Sequence, residues 1–282
     1  MARVRGSNPP GSAMELKWVL QNNLGRTRDT YNLADTLDML QVRWEHVPFI
    51  PFDESPITGI DSSGITVFYG SHGMVKRVRA TGLWSPGVFF EPERFNFQSL
   101  LAGFGSNLLN ADSEVLSVGE LLSRNYNDEE LFFSRPTEDS KLFTGGLFYF
   151  DELKEFKYRI TEPNDPMTTD SLIQLSSPKK IVKELRSFVV DGKVSTSSYY
   201  GMNHRNYPED VHIFVNPEDE AFAQEMANLY QPAKVFTLDT CELEDGTRRV
   251  VETNCFNCSG LYHANVPNLV QSINNFLLSV YQ

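Results

Sequence analysis

Two Asp-Gly dipeptides, Asp191-Gly192 and Asp245-Gly246, each separate a pair of apolar runs in the C-terminal half of the chain. Asp-Gly between alternating runs is the strongest short-range signal for a β-hairpin, because both loop positions of the favoured turn need positive φ. This half of the chain is therefore expected to build an antiparallel sheet. If each dipeptide is a two-residue loop, counting outward sets the register: Glu184 faces Tyr199, Arg186 faces Ser197, and Asp239 faces Glu252.

The last pair needs a reason, since like charges directly opposed across strands destabilise a sheet. Alternate residues of a strand share a face, so Asn254 points the same way as Glu252. Two carboxylates and an amide oxygen then converge in one small volume. Such an oxygen-rich set suits Mg²⁺ better than zinc or copper, and Mg²⁺ commonly binds substrate phosphates too, which makes a nucleotide its natural companion. The alternative is the wet face of an antiparallel sheet.

The rest of the chain sorts into short elements. Met1 to Ala13 has no periodicity and is expected to be a leader outside the fold. Leu16–Leu20 reads as a strand, Asp29–Val42 as an amphipathic helix carrying Leu33, Leu37 and Leu40, and Val47–Phe52 and Ile65–Tyr69 as two further strands. That is the start of a small α/β domain, expected over 14–122, although Gly70 to Leu122 gives mixed signals. Leu131–Pro136, Leu147–Phe150 and Leu172–Leu175 read as strands, with a polar, glycine-ended loop at 137–146 shaped like a flap. Asn216-Pro217 followed by three acids begins a helix over 217–230, and Val266 onward is a second one with a single apolar stripe.

A chain of 282 residues with 40% apolar content can bury a proper core. Its formal charge of −12 argues against a surface for nucleic acid or anionic lipid. No run approaches the apolar length of a membrane span, and a cytoplasmic location is expected. Cys241, Cys255 and Cys258 include a CxxC, but no second pair completes a four-ligand zinc site, so three reduced thiols are expected.

Taken in order, Glu184-x-Arg186-x-Phe-Val-x-Asp-Gly192, then Asp239, then Glu252-Thr-Asn254 resemble the ATP-grasp superfamily. Phe133-Ser-Arg-Pro136, Lys141-Leu-Phe-Thr-Gly145 and Asn254-Cys-Phe-Asn-Cys-Ser-Gly-Leu-Tyr262 are most similar to its arginine-for-lysine clade from bacteria and phages. The resemblance implies an α+β, ATP-grasp fold over 123–282. Its smaller flap-bearing subdomain would be 123–178 and its metal-binding subdomain 179–282, preceded by the small α/β domain.

By position, the resemblance gives Arg135 the phosphate-contacting role of the family lysine, with Lys141 supplementing it from the flap. Glu184 would accept from ribose hydroxyls, and Arg186 would face the γ-phosphate or an acyl phosphate. Residues 173–179 would form the adenine hinge, with Gln174, Ser176 and Lys179 near the base. Asp239, Glu252 and Asn254 would hold Mg²⁺. The lysine that the family usually carries on its first subdomain has no clear counterpart, although Lys76, Arg77 and Arg79 lie nearby in order.

The implied activity is an ATP-dependent carboxylate–amine ligase working through an acyl phosphate, with ATP and Mg²⁺ as cofactors. Catalysis would rest on Arg186 and Arg135. Its carboxylate and amine substrates are not legible; an amino acid, a peptide or a protein terminus would each serve. A kinase-like phosphotransferase, or a nucleotide-binding protein without turnover, are the alternatives. Loops at Ser71–Lys76 and Asn203–Tyr207 carry cations that could hold a substrate carboxylate or phosphate.

Overall fold

The computed structural model describes residues 15–281 apart from 26, 51–56, 58–59, 138–141, 203–204 and 207–213. Lys141 of the flap falls outside the described residues, as do Asn203, His204 and Tyr207.

The N-terminal elements are β1 (Leu16–Gln21), α1 (Thr27–Met39), β2 (Arg43–Val47), β3 (Ile65–Tyr69), α2 (His72–Thr81) and β4 (Ser85–Gly87). They form a parallel sheet of order β2-β1-β3-β4. Here β2 ends at Val47, where a strand was expected to begin, because Pro48 has no N–H to offer the ladder. The helix α2 was not expected. Its sequence has two inconspicuous ends, an N-cap at Ser71, whose side chain accepts from the Met74 N–H, and a left-handed Gly82. It buries Met74, Val75 and Val78 against Val19 and Phe68.

Then follow α3 (Pro92–Phe95), α4 (Phe97–Phe104), β5 (Glu114–Ser117), α5 (Val118–Ser123), β6 (Leu131–Pro136), β7 (Gly146–Tyr149), α6 (Phe150–Lys154), α7 (Phe156–Arg159) and β8 (Leu172–Ser176). Strands β5 to β8 make an antiparallel middle sheet, order β5-β8-β6-β7. Although β5 lies on the N-terminal side of residue 122, it is hydrogen-bonded to β8. The middle lobe has its own core, with Leu116, Leu121, Phe132, Phe150, Leu153 and Ile173 at its centre.

The remainder is β9 (Ile181–Val190), β10 (Lys193–Met202), β11 (Arg205–Asn206), α8 (Pro217–Leu229), β12 (Val235–Leu243), β13 (Arg248–Cys255) and α9 (Val266–Tyr281). The sheet order is β11-β10-β9-β12-β13. One face carries Val189, Phe236, Leu238 and Val250 and packs on α8 and α4. The other carries Val190, Phe188 and Val235, which share a core with α9, α1 and the N-terminal sheet. Along β9 the even-numbered positions run Val190, Phe188, Arg186, Glu184, so this second face turns from apolar to charged part-way along the strand.

Both hairpins form, with irregular registers. Asp191 (φ 45) and Gly192 (φ 77) make the expected two-residue loop. Bulges beyond it shift the pairing, so Arg186 faces Ser198 and Glu184 faces Gly201, not Ser197 and Tyr199. In the second hairpin the Leu243 N–H donates to the Thr247 carbonyl and the Gly246 N–H to Leu243, a three-residue loop with Gly246 at φ 81. A bulge between Asp239 and Thr240 then restores the count, and Asp239 faces Glu252. Two single-residue offsets cancel.

Candidate functional site

A cleft of about 810 Å³ opens where the three sheets meet. The middle sheet supplies Arg135, Thr137 and Gln174, and the five-stranded sheet supplies Arg186, Glu252 and Asn254. The N-terminal part of the chain adds His72 and Lys76 from α2 and a wall from the residues around α3 and α4. The size falls in the upper part of the range for small-molecule sites, roughly 300–1,000 Å³.

Asp239 is flanked by Glu252 on β13 and by Arg186 on β9, each directly opposite it in the ladder. Arg186 Nε donates to Asp239 Oδ1 at 2.8 Å and Nη2 to Oδ2 at 2.6 Å. Arg135, reaching across from the middle sheet, donates through Nη1 to Glu252 Oε2 at 3.1 Å. The charges therefore run plus, minus, minus, plus. Asn254 joins the two acids, its Nδ2 donating to Glu252 Oε1 at 2.9 Å and to Asp239 Oδ2 at 3.3 Å. The opposed carboxylates are tolerated because an arginine closes each end of the row.

Asp239 is 1% exposed and Arg186 7%. Burial pushes the Asp239 carboxyl up, and the Arg186 guanidinium counteracts it. Burial works against the charge on Arg186 as well, but the Asp239 carboxylate outweighs it and holds Arg186 above its ordinary value. Arg186 is fixed from other directions too. Nη1 donates to the Gly260 carbonyl at 3.3 Å, and the guanidinium lies 5.5 Å from the Tyr200 ring and 5.1 Å from Tyr262. Those rings stack on each other at 5.2 Å, with Tyr262 in the left-handed region (φ 48), a costly conformation for a bulky residue.

The expected site residues divide into two groups. Arg135, Gln174, Arg186, Glu252 and Asn254 line the cleft, with Asp239 directly behind Arg186. Ser176, Lys179 and Glu184 are not among the lining residues. The Ser176 hydroxyl donates to Asn110 Oδ1 at 3.3 Å, and Lys179 Nζ to Asp112 Oδ2 at 2.6 Å. Glu184 accepts from the Tyr200 hydroxyl at 3.1 Å, not from Arg186. Burial pushes its carboxyl up, as do Asp239 and Glu252, while the Tyr200 hydrogen bond and Arg186 pull it down.

Sequence reasoning had no place for Tyr200, Gly260, Tyr262 or Asn257. Of these, Asn257 ties the end of β13 to the N-terminal sheet. It is fully buried, donates through Nδ2 to the Phe68 carbonyl at 2.6 Å, and accepts from the Phe89 N–H at 2.8 Å. The only signal for Asn257, Gly260 and Tyr262 lay in the Asn254–Tyr262 segment, read for its resemblance alone, and Tyr200 on β10 had none.

All three cysteines are free thiols. Among the described residues no group of three His, Cys, Asp or Glu side chains is placed to hold a metal. The candidate set has two carboxylates and takes its third donor from the Asn254 amide. The Asn254 amide lies within hydrogen-bond reach of both carboxylates, and two carboxylates with an amide oxygen are a combination that fits Mg²⁺. Ligation would need the Asn254 amide turned so that Oδ1, not Nδ2, faces the carboxylates. Among the described residues no helix is long and apolar enough to cross a membrane.

A family model for an ATP-grasp domain, the third family of the arginine-for-lysine clade, matches residues 100–273. No curated protein matches the sequence. Among solved structures, the chain resembles a D-cycloserine synthetase, DcsG, with TM-score 0.61 and 14% identity over 95% of this chain and 99% of that one. It resembles the ATP-grasp ligase PsnB complexed with a minimal precursor at TM-score 0.56 and 12% identity, over 94% and 100% of the two chains. D-alanine–D-alanine ligase from Bacillus anthracis, complexed with ATP, gives 0.55 and 14% over 95% and 99%. At these identities the likeness is one of fold.

Proposed function

Because the chain belongs to the ATP-grasp domain family, within its arginine-for-lysine clade, we propose that it is an ATP-dependent ligase that joins a carboxylate to an amine. The observation that carries this reading is the row Arg186, Asp239, Glu252, Arg135 across the cleft. It sets two preorganised cations beside a carboxylate pair of the kind that holds Mg²⁺. ATP would lie between the middle and five-stranded sheets, with its triphosphate toward this row.

Asp239, Glu252 and Asn254 would hold Mg²⁺, which when bound neutralises phosphate charge. The protein's own contribution is positioning and fixed positive charge. A substrate carboxylate oxygen attacks the γ-phosphorus; the bond to the β–γ bridging oxygen breaks and ADP leaves. The second substrate's neutral amine then attacks the acyl carbon. A C–N bond forms, the C–O bond to phosphate breaks, and the proton lost by the nitrogen ends on the departing inorganic phosphate.

Arg186, forked and held flat by Asp239 and the two tyrosine rings, faces the transferring group with a guanidinium that can donate to two oxygens. Arg135 stands across from it, and its part-exposed pair with Glu252 can open for phosphate. Gln174, 3% exposed and lining the cleft, contributes to the base or ribose side. Ser176 and Lys179, held by Asn110 and Asp112, support the wall behind it.

The decisive experiment measures ADP release over a panel of paired carboxylates and amines, with mass detection of the joined product. An amide of the two, formed in step with ADP, is expected. ADP release accompanied by a phosphorylated product would replace the ligase reading with phosphotransfer. No ATP-dependent product with any pair would remove it.

A further inference from the structure

The wall opposite the charged row has a different chemistry. His72 and Lys76 stand one helical turn apart on α2, so both face the cleft. Beside them the Phe90 ring lies 5.6 Å from the His72 ring and 5.3 Å from Phe95. Phe97 and Leu100, 7% and 6% exposed, close the apolar floor where α4 enters the core.

The other charges along the cleft are committed. Arg186 is paired with Asp239, Arg135 with Glu252, and Glu93 lies 3.9 Å from Arg79. Lys76 lines the same cleft and has no ion-pair partner among the described residues. An exposed ammonium that lines the same cleft as these aromatic rings, in a chain of net charge −12, is a local site for an anion that also carries apolar bulk.

Resting on the ligase reading above, we propose that this wall seats the amine substrate, and that the substrate is an α-amino acid with a large apolar side chain. Its side chain lies on Phe90 and Phe95 and its carboxylate meets the Lys76 ammonium, which leaves the α-amine directed at the charged row. A charged side chain would be stripped of water against rings that return no hydrogen bond. A small one would leave the rings uncovered.

Binding to the protein saturated with Mg²⁺ and the non-hydrolysable analogue AMPPNP tests this without turnover. Phenylalanine, in either enantiomer, is expected to bind at least tenfold tighter than glutamate or than phenethylamine, which lacks the carboxylate. Lys76→Gln is expected to cost phenylalanine at least tenfold while leaving phenethylamine and AMPPNP affinity unchanged. Phe95→Ala should weaken both phenylalanine and phenethylamine. Equal binding of glutamate, or no binding of phenylalanine to the AMPPNP-loaded protein, overturns the proposal. So does a fall in AMPPNP affinity with Lys76→Gln, which would make Lys76 a phosphate ligand. Failure of AMPPNP itself to bind removes the ligase reading together with this one.

Discussion

Arg186 and Asp239 are cross-strand neighbours joined at two points, 2.8 Å and 2.6 Å, and both are almost wholly buried. In the absence of a bound cation, Arg186 supplies the positive charge that Asp239 needs. Removing one partner of a buried pair leaves the other uncompensated, at a cost of about 3–5 kcal/mol. Arg186→Met should therefore lower the denaturant midpoint by that equivalent. Millimolar Mg²⁺ without nucleotide should recover part of the loss in this variant and do little for the parent protein. A variant as stable as the parent would show that the pair carries no such weight.

Asp239→Asn combined with Glu252→Gln removes both negative ligands while keeping shape. With ATP a hundredfold above its Kd, binding to the folded state alone raises stability by about 2.7 kcal/mol. The Mg²⁺-dependent part of that gain should disappear in the double variant. Thermal unfolding with Mg-ATP, compared with ATP and a chelator, reads it directly.

Glu184 gives a pH signature. Its folded-state carboxyl is raised, chiefly by burial, so the folded protein holds this proton more tightly than the unfolded chain does. Its contribution is fully present below the ordinary carboxylate pKa and is lost as pH rises through the folded value. Glu184→Gln should therefore flatten the decline in stability between the ordinary carboxylate pKa and the raised folded value. Parallel stability–pH curves for the two proteins would show that Glu184 does not titrate in this way.

The buried thiols should be inert. Burial pushes Cys241 up to about 12, and Cys255 is raised in the same way, with Cys258 adding to it. Cys258 is half-buried and lines the cleft. At pH 8 an alkylating agent should label Cys258 first in the native protein and all three only after unfolding. Mass mapping of the labelled sites would reveal equal labelling of Cys241 if its burial were looser.

Substituting Asn257 by Ala removes a donor and an acceptor from the seam between the N-terminal sheet and β13. It leaves the Phe68 carbonyl and the Phe89 N–H unpaired in a dry interior. A loss of about 2–4 kcal/mol is expected, from about 1–3 for each orphaned group with partial relaxation. Chemical denaturation measures it, and a loss below about 1 kcal/mol would mean that water enters the seam.

The hairpins, several of the strands, the longest helices and the convergence of Asp239, Glu252 and Asn254 were legible because they rest on local signals, while the α+β, ATP-grasp fold as a whole was read through resemblance. Asp-Gly loops, period-two apolar alternation and an Asn-Pro helix start are each properties of a few adjacent residues. The pairing of Asp239 with Glu252 was also readable, though by a count in which an extra loop residue and a bulge compensate. Nothing in β9 or β10 alone announces the bulges that move Arg186 to Ser198 and Glu184 to Gly201; at the first of them Ser195 bonds Ser272 and Asn268 of α9. That Arg186 belongs to Asp239 depends on β9 lying beside β12, across a connection that holds β10, β11 and α8, and local pattern is silent there.

The middle lobe has a buried core of its own, with Val115 of β5 packed against the core beneath α4 and α8, whereas the N-terminal sheet and the five-stranded sheet share theirs. What joins the lobe to the metal-type carboxylates across the cleft is the ion pair of Arg135 with Glu252, part-exposed on both sides. A junction of that kind weakens as the Debye length shortens, from about 10 Å at 0.1 M salt to about 3 Å at 1 M. Raising the ionic strength should thus loosen this one contact while leaving the packed cores on either side of it as they are.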